Sequence, residues 1–528
     1  MAFRTSGGRM GERVRVTART VVPRTGLGDL PLRAKRLRSQ HVREGSSMRG
    51  VWTAQQVRET EAVLLDRTPE GVLMRRAAFG LAVHARRMLA RTGVVAGRRV
   101  ILLVGAGNNG GDALWAGYEL RRRGVGVTAV LLDPDRAHPE GLAALRKLGG
   151  RFVDAGAGLV AELGADLVID GIVGISGRGA LREPAGGLVA AVERAGVPVL
   201  AVDLPSGVDP DTGAVSGPAV TATETVTFGA LKPVHVLAAP RCGHVHLVDI
   251  GLGPMLPKPH AHVLDDADVG ARWPVPGAAD DKYTQGVVGI AAGSAAYPGA
   301  AVLATGAAVL ATSGMVRFAG TAAPEVRAKW PETVITESIA DADRTQAWAV
   351  GPGIGTDDAG RAVLAEAIAR DVPLCIDADG ITLLAKHSDL LAAVRGRPVV
   401  ITPHDREFAR VAGEVGADRI GAARRAASDL GVTVLLKGNA TVVADPDGRV
   451  LVNPATSSWA ATAGSGDVLT GVIGALLAAG LEPWWAAGCA ARVHGIAADL
   501  AAQGAPAPAS RLQASLPDAI RAVRAATG

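Results

Sequence analysis

Thr462-Ala-Gly-Ser-Gly-Asp467, running into the apolar stretch Val468–Leu481, is the segment whose reading decides the fold. Glycines on both sides of Ser465 let backbone N–H groups gather at the start of a helix predicted to run to Ala479. Free donors and the helix dipole make such an end a natural anion site. Asp467 then stands in the first turn, beside the anion. A carboxylate is electrostatically costly next to phosphate alone; it makes sense there as a base that takes a proton from an attacking hydroxyl. An acid in the first turn also serves plain helix capping. The polar strand ends that precede the turn favour the anion site.

Upstream of this turn, short apolar runs recur at Gly286–Ala292, Trp348–Gly351, Leu374–Asp377, Pro398–Thr402 and Val432–Lys437. Runs of this length, rich in β-branched residues, predict strands of a buried parallel sheet, with Ala300–Thr312 as one of the helices between them. Each run ends in a polar or glycine signal. These are Gly293-Ser294 with Tyr297–Ala300, Gly351-Pro-Gly353-Ile-Gly355, Asp377-Ala-Asp379, and Thr402-Pro-His404-Asp405 with Glu407. Lys437-Gly438-Asn439-Ala440-Thr441 reads as a hairpin. In open α/β sheets ligands bind outside the carboxyl ends of the strands, so these signals point at one crevice.

The first half repeats the alternation. Residues 53–92 predict two amphipathic helices. Strands follow at Arg99–Gly105, Gly126–Leu132, Leu167–Asp170, Pro198–Asp203 and Thr225–Phe228. The first strand ends in Gly105-Ala-Gly-Asn108-Asn109-Gly110-Gly111-Asp112. The spacing is not the dinucleotide GxGxxG with an acid about 20 residues on. Its paired Asn and Asp instead offer oxygens suited to ribose hydroxyls or a hard cation. Asp170-Gly-Ile-Val-Gly174-Ile175-Ser176-Gly177-Arg178-Gly179-Ala180 and Asp203-Leu-Pro-Ser206 end two further strands. One strand-end Asp is usually a turn residue, but three such ends in register make a site.

Bulk properties bound the rest. At 528 residues the chain is too long for one core, and 48% hydrophobic against 20% charged residues suits two well-buried domains. Only 3% are aromatic, which argues against base-stacking recognition of nucleic acid. Residues 1–47 hold 11 Lys or Arg and 3 Asp or Glu, a surplus of eight, so the +5 of the whole chain leaves the remainder near −3. The basic character belongs to this leader, which has no helical or strand period and is expected to be disordered or a non-native extension before Met48. Cys242, Cys375 and Cys489 are odd in number and far apart, as expected in a reducing cytoplasm. Val468–Leu481 is too short to span a bilayer, so no membrane is expected. A Pro/Gly-rich connector over 256–277 divides an expected first domain, 48–255, from a second, 278–528.

Two resemblances sharpen this. Asn108–Asp112, Asp170–Ala180 and Asp203–Ser206 resemble the YjeF N-terminal family, the NAD(P)H-hydrate epimerases, over about residues 48–250. The resemblance implies a Rossmann-like doubly wound domain in which Asn109, Asp170 and Ser206 hold a potassium ion. Asn108–Asp112, Gly174–Ala180 and Asp203 would contact the damaged cofactor, Asp203 also moving the proton, and Lys232 stands where it could close the site. Arg75 departs from the acid common there. The turn at Gly464–Asp467 resembles the ribokinase-like arrangement, and with Lys437–Thr441 and His404 it resembles the YjeF C-terminal family, the NAD(P)H-hydrate dehydratases, over about 278–525. That implies Ala300, Gly353, His404 and Asp467 on the hydrate, and Lys437, Gly438, Asn439, Ala440, Thr441 and Gly466 on ADP with magnesium. Asp281-Lys282-Tyr283 replaces the usual His-Lys-Gly, and Asp379-Gly380 the usual Asp-Ala.

Fused chains of this order imply a bifunctional enzyme that acts on the small molecules NADHX and NADPHX with ADP or ATP, expected as a homo-oligomer. The first domain would interconvert R and S hydrates. The second would phosphorylate the S hydroxyl and eliminate phosphate, a far better leaving group than water. The rival is a small-molecule kinase of the ribokinase-like class with a non-catalytic N-terminal binding module.

Overall fold

The computed structural model describes residues 48–155, 164–454, 458–459 and 461–527. The basic leader falls outside them. Both halves are α/β. In the first, a seven-stranded, wholly parallel sheet has the order Arg151–Asp154, Gly126–Leu131, Arg99–Val104, Leu167–Gly171, Val199–Val202, Glu224–Phe228, His244–Val248. The middle strands are buried on both faces, which is why they read as continuous apolar runs. Chain order reverses beside Arg99–Val104, and that strand feeds the helix Asn108–Arg121 at the switch point. One face packs under the helices Ala54–Leu65, Val72–Ala90 and Asn108–Arg121, the other under Ala185–Ala195.

The second sheet has eleven strands. Its parallel centre runs Val399–Ile401, Leu374–Ile376, Ala347–Val350, Val287–Ala291, Met315–Ala319, Val334–Thr336. Thr433–Leu436 extends it, and the hairpin of Ala440–Ala444 and Val450–Pro454 follows antiparallel. The helix Ser465–Ala478 crosses this sheet in a bed of small residues. A Cβ on Gly471 would lie 2.1 Å from the Ala304 carbonyl oxygen, and one on Gly474 2.8 Å from Ala349 Cβ. The helix thus touches both the strand Ala347–Val350 and the helix Pro298–Ala311, and at interior packing density those contacts fix where its first turn points.

Two segments depart from the sequence reading. The stretch 256–277, expected as a connector, contains the strand Ala261–Val263 and the helix Asp266–Arg272. A reciprocal Asp265–Asp268 capping box starts this helix, and Trp273 after it is buried, donating from Nε1 to the Ala311 carbonyl at 3.1 Å. Prolines flank these pieces, but Val263, Val269 and Trp273 supply enough apolar surface to dock them. The strand Arg49–Val51 pairs antiparallel with Ala261–Val263 at the edge of the second sheet, while Val51 keeps a parallel bridge to Leu231 of the first half. From there the chain returns: Trp52 N–H donates to the Leu231 carbonyl at 2.9 Å, and Ala54 N–H to Asp211 Oδ1 at 2.7 Å.

Two candidate active sites

In the first half, the strand-end carboxylates collect at one edge of the sheet. Asp203 follows its strand with φ +67°, in the left-handed region that a non-glycine residue occupies only when its surroundings enforce it. The enforcement is visible. His235 accepts from Lys232 N–H at Nδ1 (2.9 Å), so its Nε2 carries the proton and donates to the Asp203 carbonyl at 2.8 Å. Asp203 Oδ1 accepts from Lys232 Nζ at 2.5 Å and from Thr227 Oγ1 at 2.9 Å. Lys232 is 1% exposed, and Asp203 is also buried. Burial works against the charged carboxylate, but the Lys232 ammonium outweighs it, so Asp203 titrates below the ordinary range. His235, buried beside the same ammonium, drops to about 4 and stays neutral.

Asp112 is the counterpart. It is buried at the helix start, and its Oδ1 has no hydrogen-bond partner among the described residues. Burial first, then the charges of Asp203 and Glu61, push its carboxyl well above the usual range. Two nearby carboxyls are therefore driven apart, one shifted below the ordinary range and one above it. Glu61 is drawn in from the helix Ala54–Leu65 and is itself raised, chiefly by burial.

Of the proposed cation ligands, Asp170 and Ser206 are in contact. Asp170 is fully buried; Ser206 Oγ donates to its Oδ1 at 2.7 Å and Ser206 N–H to its Oδ2 at 2.8 Å. Burial raises this carboxyl to about 6, against those hydrogen bonds. Asn109 donates from Nδ2 to the Val202 carbonyl at 2.6 Å, which turns its Oδ1 toward Gly174, where a Cβ would sit 2.4 Å away. Oxygen is the donor throughout, as a hard monovalent cation requires. Along the 174–180 loop, Arg178 reaches Asp211 at 2.8 Å and Asp209 at 3.5 Å.

In the second half, Gly464 adopts φ +86° as the residue before the helix, and the next turn presents Ser465, Gly466 and Asp467. His494, from the helix Pro483–Ala502, holds this turn through Nε2, 2.9 Å from the Ser465 carbonyl. Asp377, buried, ends the strand Leu374–Ile376 and accepts from Lys437 Nζ at 2.7 Å, Thr470 Oγ1 at 2.7 Å and Ala378 N–H at 2.8 Å. Lys437 also lies 3.8 Å from Glu407. A Cβ on Gly466 would come 3.4 Å from Lys437 Nζ and 3.6 Å from Asp377 Oδ2, so the glycine turn sits directly on this ion pair. Burial and then the Asp377 charge raise Asp467 to about 7, with Lys437 pulling the other way.

Gly353, at φ +68°, backs onto Tyr297 and Ala300: a Cβ there would lie 3.0 and 3.3 Å from their Cβ atoms. Ala300 and Gly353 therefore share one wall. His404 behaves differently. Its Nδ1 accepts from Glu407 N–H at 3.2 Å, capping the helix Asp405–Ala412, while Glu407 Oε2 accepts from His404 N–H at 2.9 Å. Its ring is half exposed, and its Nε2 lies 3.5 Å from Glu407 Oε1. Gly438 and Asn439 are exposed at the hairpin, and the Lys437 carbonyl accepts from Arg419 at 2.9 Å. Residues 278–286 before the first strand, including Lys282, are mostly exposed.

A family described as NAD(P)H-hydrate dehydratase matches residues 288–520, and the YjeF-related protein N-terminus matches 70–234. A protein of Mycobacterium tuberculosis named bifunctional NAD(P)H-hydrate repair enzyme is 59% identical over 438 residues, 82% of this chain and 90% of that one. The chain belongs to the bifunctional NAD(P)H-hydrate repair enzyme family. A second member, from Mycobacterium leprae, is 56% identical over 90% of this chain and the whole of its own. Among solved structures, the ADP/ATP-dependent NAD(P)H-hydrate dehydratase of Bacillus subtilis, co-crystallised with ATP and magnesium, is 27% identical over 49% of this chain and 98% of its own, with TM-score 0.44. In this repair-enzyme chain, the expected doubly wound first half and ribokinase-like second half stand as read. Several polar partners escaped the sequence reading, among them Thr227 in an apolar strand. Thr470 had a signal, since it lies three residues after Asp467 on one helix face. Glu61, His235 and His494 had none, because only tertiary packing brings them to the sites.

Proposed function

We propose that this chain repairs hydrated nicotinamide cofactors with two active sites, epimerising R and S hydrates in the first half and dehydrating the S form in the second. The observation that carries the reading is the Gly464–Asp467 turn seated on the Asp377–Lys437 pair in a chain of this family.

In the first site the roles follow from the divided carboxyls. Asp203, held by Lys232 and Thr227, takes the proton; Asp112, whose carboxyl keeps its proton more tightly than usual, returns one. Asn108, Asn109, Gly110, Gly111 and the 174–180 loop surround the cofactor. Asn109, Asp170 and Ser206 would hold potassium, which when bound supplies a fixed positive charge beside the cofactor.

In the second site Asp467 accepts the proton of the substrate hydroxyl as its oxygen bonds the terminal phosphorus, and the P–O bond to the departing nucleotide breaks. The phosphate then leaves with the C–O pair while the neighbouring carbon loses a proton, which restores the ring double bond. The N–H groups at Ser465 and Gly466 steady the anion, and the wall of Ala300 and Gly353, with His404 Nε2, places the ring. Lys437–Thr441 and Gly466 take the nucleotide. Asp377 and Asp379 would hold magnesium through water, since Asp377 already spends both oxygens on protein donors; the ion when bound neutralises the transferring phosphate.

The purified chain, given S-hydrate of NADH with ADP or ATP, is expected to restore the absorbance of the reduced nicotinamide, and given R-hydrate to do so after epimerisation. Accumulation of a stable phosphorylated product would instead favour the plain kinase.

The acid limb of kcat/KM for dehydration is expected near pH 7. Asp467 works deprotonated and titrates at about 7, so the rate falls as pH drops through that value. Lys437→Met removes the charge that pulls Asp467 down, and the limb moves to higher pH. A limb that stays put in Lys437→Met would take Asp467 out of the titrating role.

A further inference from the structure

Among the described residues, one group of three His, Cys, Asp or Glu side chains offers ligand atoms close enough to share a metal, and it lies away from both sites. Glu224 opens the strand Glu224–Phe228, at the end opposite Lys232. His246 stands on the neighbouring edge strand, His244–Val248, and His84 on the helix Val72–Ala90 above them. The register pairs Glu224 with His244 and Val226 with His246, so Glu224 and His246 project on one face two positions apart. The helix reaches that face because Gly80 lets it: a Cβ there would strike the Val248 side chain at 2.7 Å. Four helical residues rise about 6 Å and two strand residues about 6.6 Å, so a helix with Gly80 over Val248 sets His84 over His246. Their ring centroids are 4.1 Å apart at 29°, and one ligand atom from each of the three residues lies within 4.8 Å of the others.

Glu224 is 1% exposed. A buried carboxylate is costly unless opposed by positive charge. Here its Oε2 lies 2.8 Å from His246 Nε2, and Arg91 pairs with its Oε1. Arg91 is 59% exposed, so it has room to swing away. Arg87, on the same helix, is the other charge near His84.

We propose that His84, Glu224 and His246 bind one borderline divalent cation of the zinc type, with water completing the shell. Two imidazoles and a carboxylate suit zinc, cobalt or nickel; magnesium and potassium prefer all-oxygen shells. Zinc–nitrogen bonds of about 2.0–2.1 Å put ligand atoms roughly 3.4 Å apart, so the widest pair has to close by up to about 1.4 Å and the Glu224–His246 pair to open slightly. The partly exposed imidazoles can supply that movement. The ion would pin the edge strand to the helix and take over the charge compensation that Arg91 now provides.

The test uses the full chain, stripped with chelator, titrated with zinc by calorimetry and with cobalt by visible absorption. One ion per chain is expected, with a cobalt spectrum of low coordination number. His84→Gln and His246→Gln should each weaken binding more than about tenfold, the low end of what losing even a supporting group costs at metal sites. Arg91→Ala should tighten it, because it frees Glu224. Melting curves establish that each variant is folded. Unchanged binding in the His84→Gln/His246→Gln double variant, or weaker binding in Arg91→Ala, overturns the site and leaves an ion pair beside a ring stack.

Discussion

Asp467→Asn is expected to slow dehydration about a thousandfold, within the 10²–10⁴ range for a positioned general base, while nucleotide still binds. Asparagine keeps the shape of the side chain and its place in the first turn, so the N–H groups at Ser465 and Gly466 stay aimed at the anion. What is lost is the acceptor for the hydroxyl proton. A second readout separates this from damage to the turn. The folded Asp467 carboxyl, at about 7, titrates above the roughly 3.9 of an unfolded chain, so its protonation stabilises the fold at low pH and that stability is lost as pH rises toward 7. Asparagine does not titrate. The variant should therefore melt higher than the parent at neutral pH, with a margin that grows between about pH 4 and 7 and then levels off. Loss of activity together with lower melting would point to a broken turn. Undiminished dehydration would remove Asp467 from the chemistry.

That residue was legible from sequence because its neighbours are glycines: Gly464 at φ +86° and Gly466 against the Lys437–Asp377 pair are positions where a side chain would strain or fill the site. The same holds for Asp170, Asp203 and Ser206, polar residues at the ends of apolar strands with no structural need for their chemistry. The central strands were legible because double burial demands unbroken apolar runs. Legibility failed where a residue's role is set by what folds onto it. Lys232 reads equally as a surface lysine until the loop before Val234 turns it inward. Glu61 sits in an ordinary amphipathic period. His404 carries the sequence signal of a site residue, and half of its hydrogen-bonding capacity proves to be a helix cap. The edge strand Arg49–Val51 and its neighbour Ala261–Val263 are three residues each, too short for a period, and their pairing joins parts of the chain about 210 residues apart.

Lys232→Met should cost more stability than any surface change, about 3–5 kcal/mol, because it strands a buried Asp203 carboxylate without its cation. Each kcal/mol moves the midpoint of a 150–250-residue protein by about 2–4 °C and less in a larger one, so the melting temperature should fall by several degrees. Epimerisation should disappear with it: without the ammonium, burial drives the Asp203 proton affinity upward and the base becomes an acid. Asp203 also depends on Lys232 indirectly. The Lys232 backbone N–H fixes the His235 tautomer, and His235 holds the Asp203 carbonyl that keeps φ positive. The side-chain substitution leaves that backbone bond in place. The double variant Lys232→Met/Asp203→Asn isolates the charge term. It removes the stranded carboxylate and should recover most of the lost melting temperature without recovering epimerisation. Recovery of both would mean that Asp203 serves only to neutralise Lys232. Recovery of neither would mean that the buried methylene stem of Lys232 carries the stability. The expected split, stability regained and turnover still absent, is the signature of a buried pair kept for its chemistry at a cost to the fold.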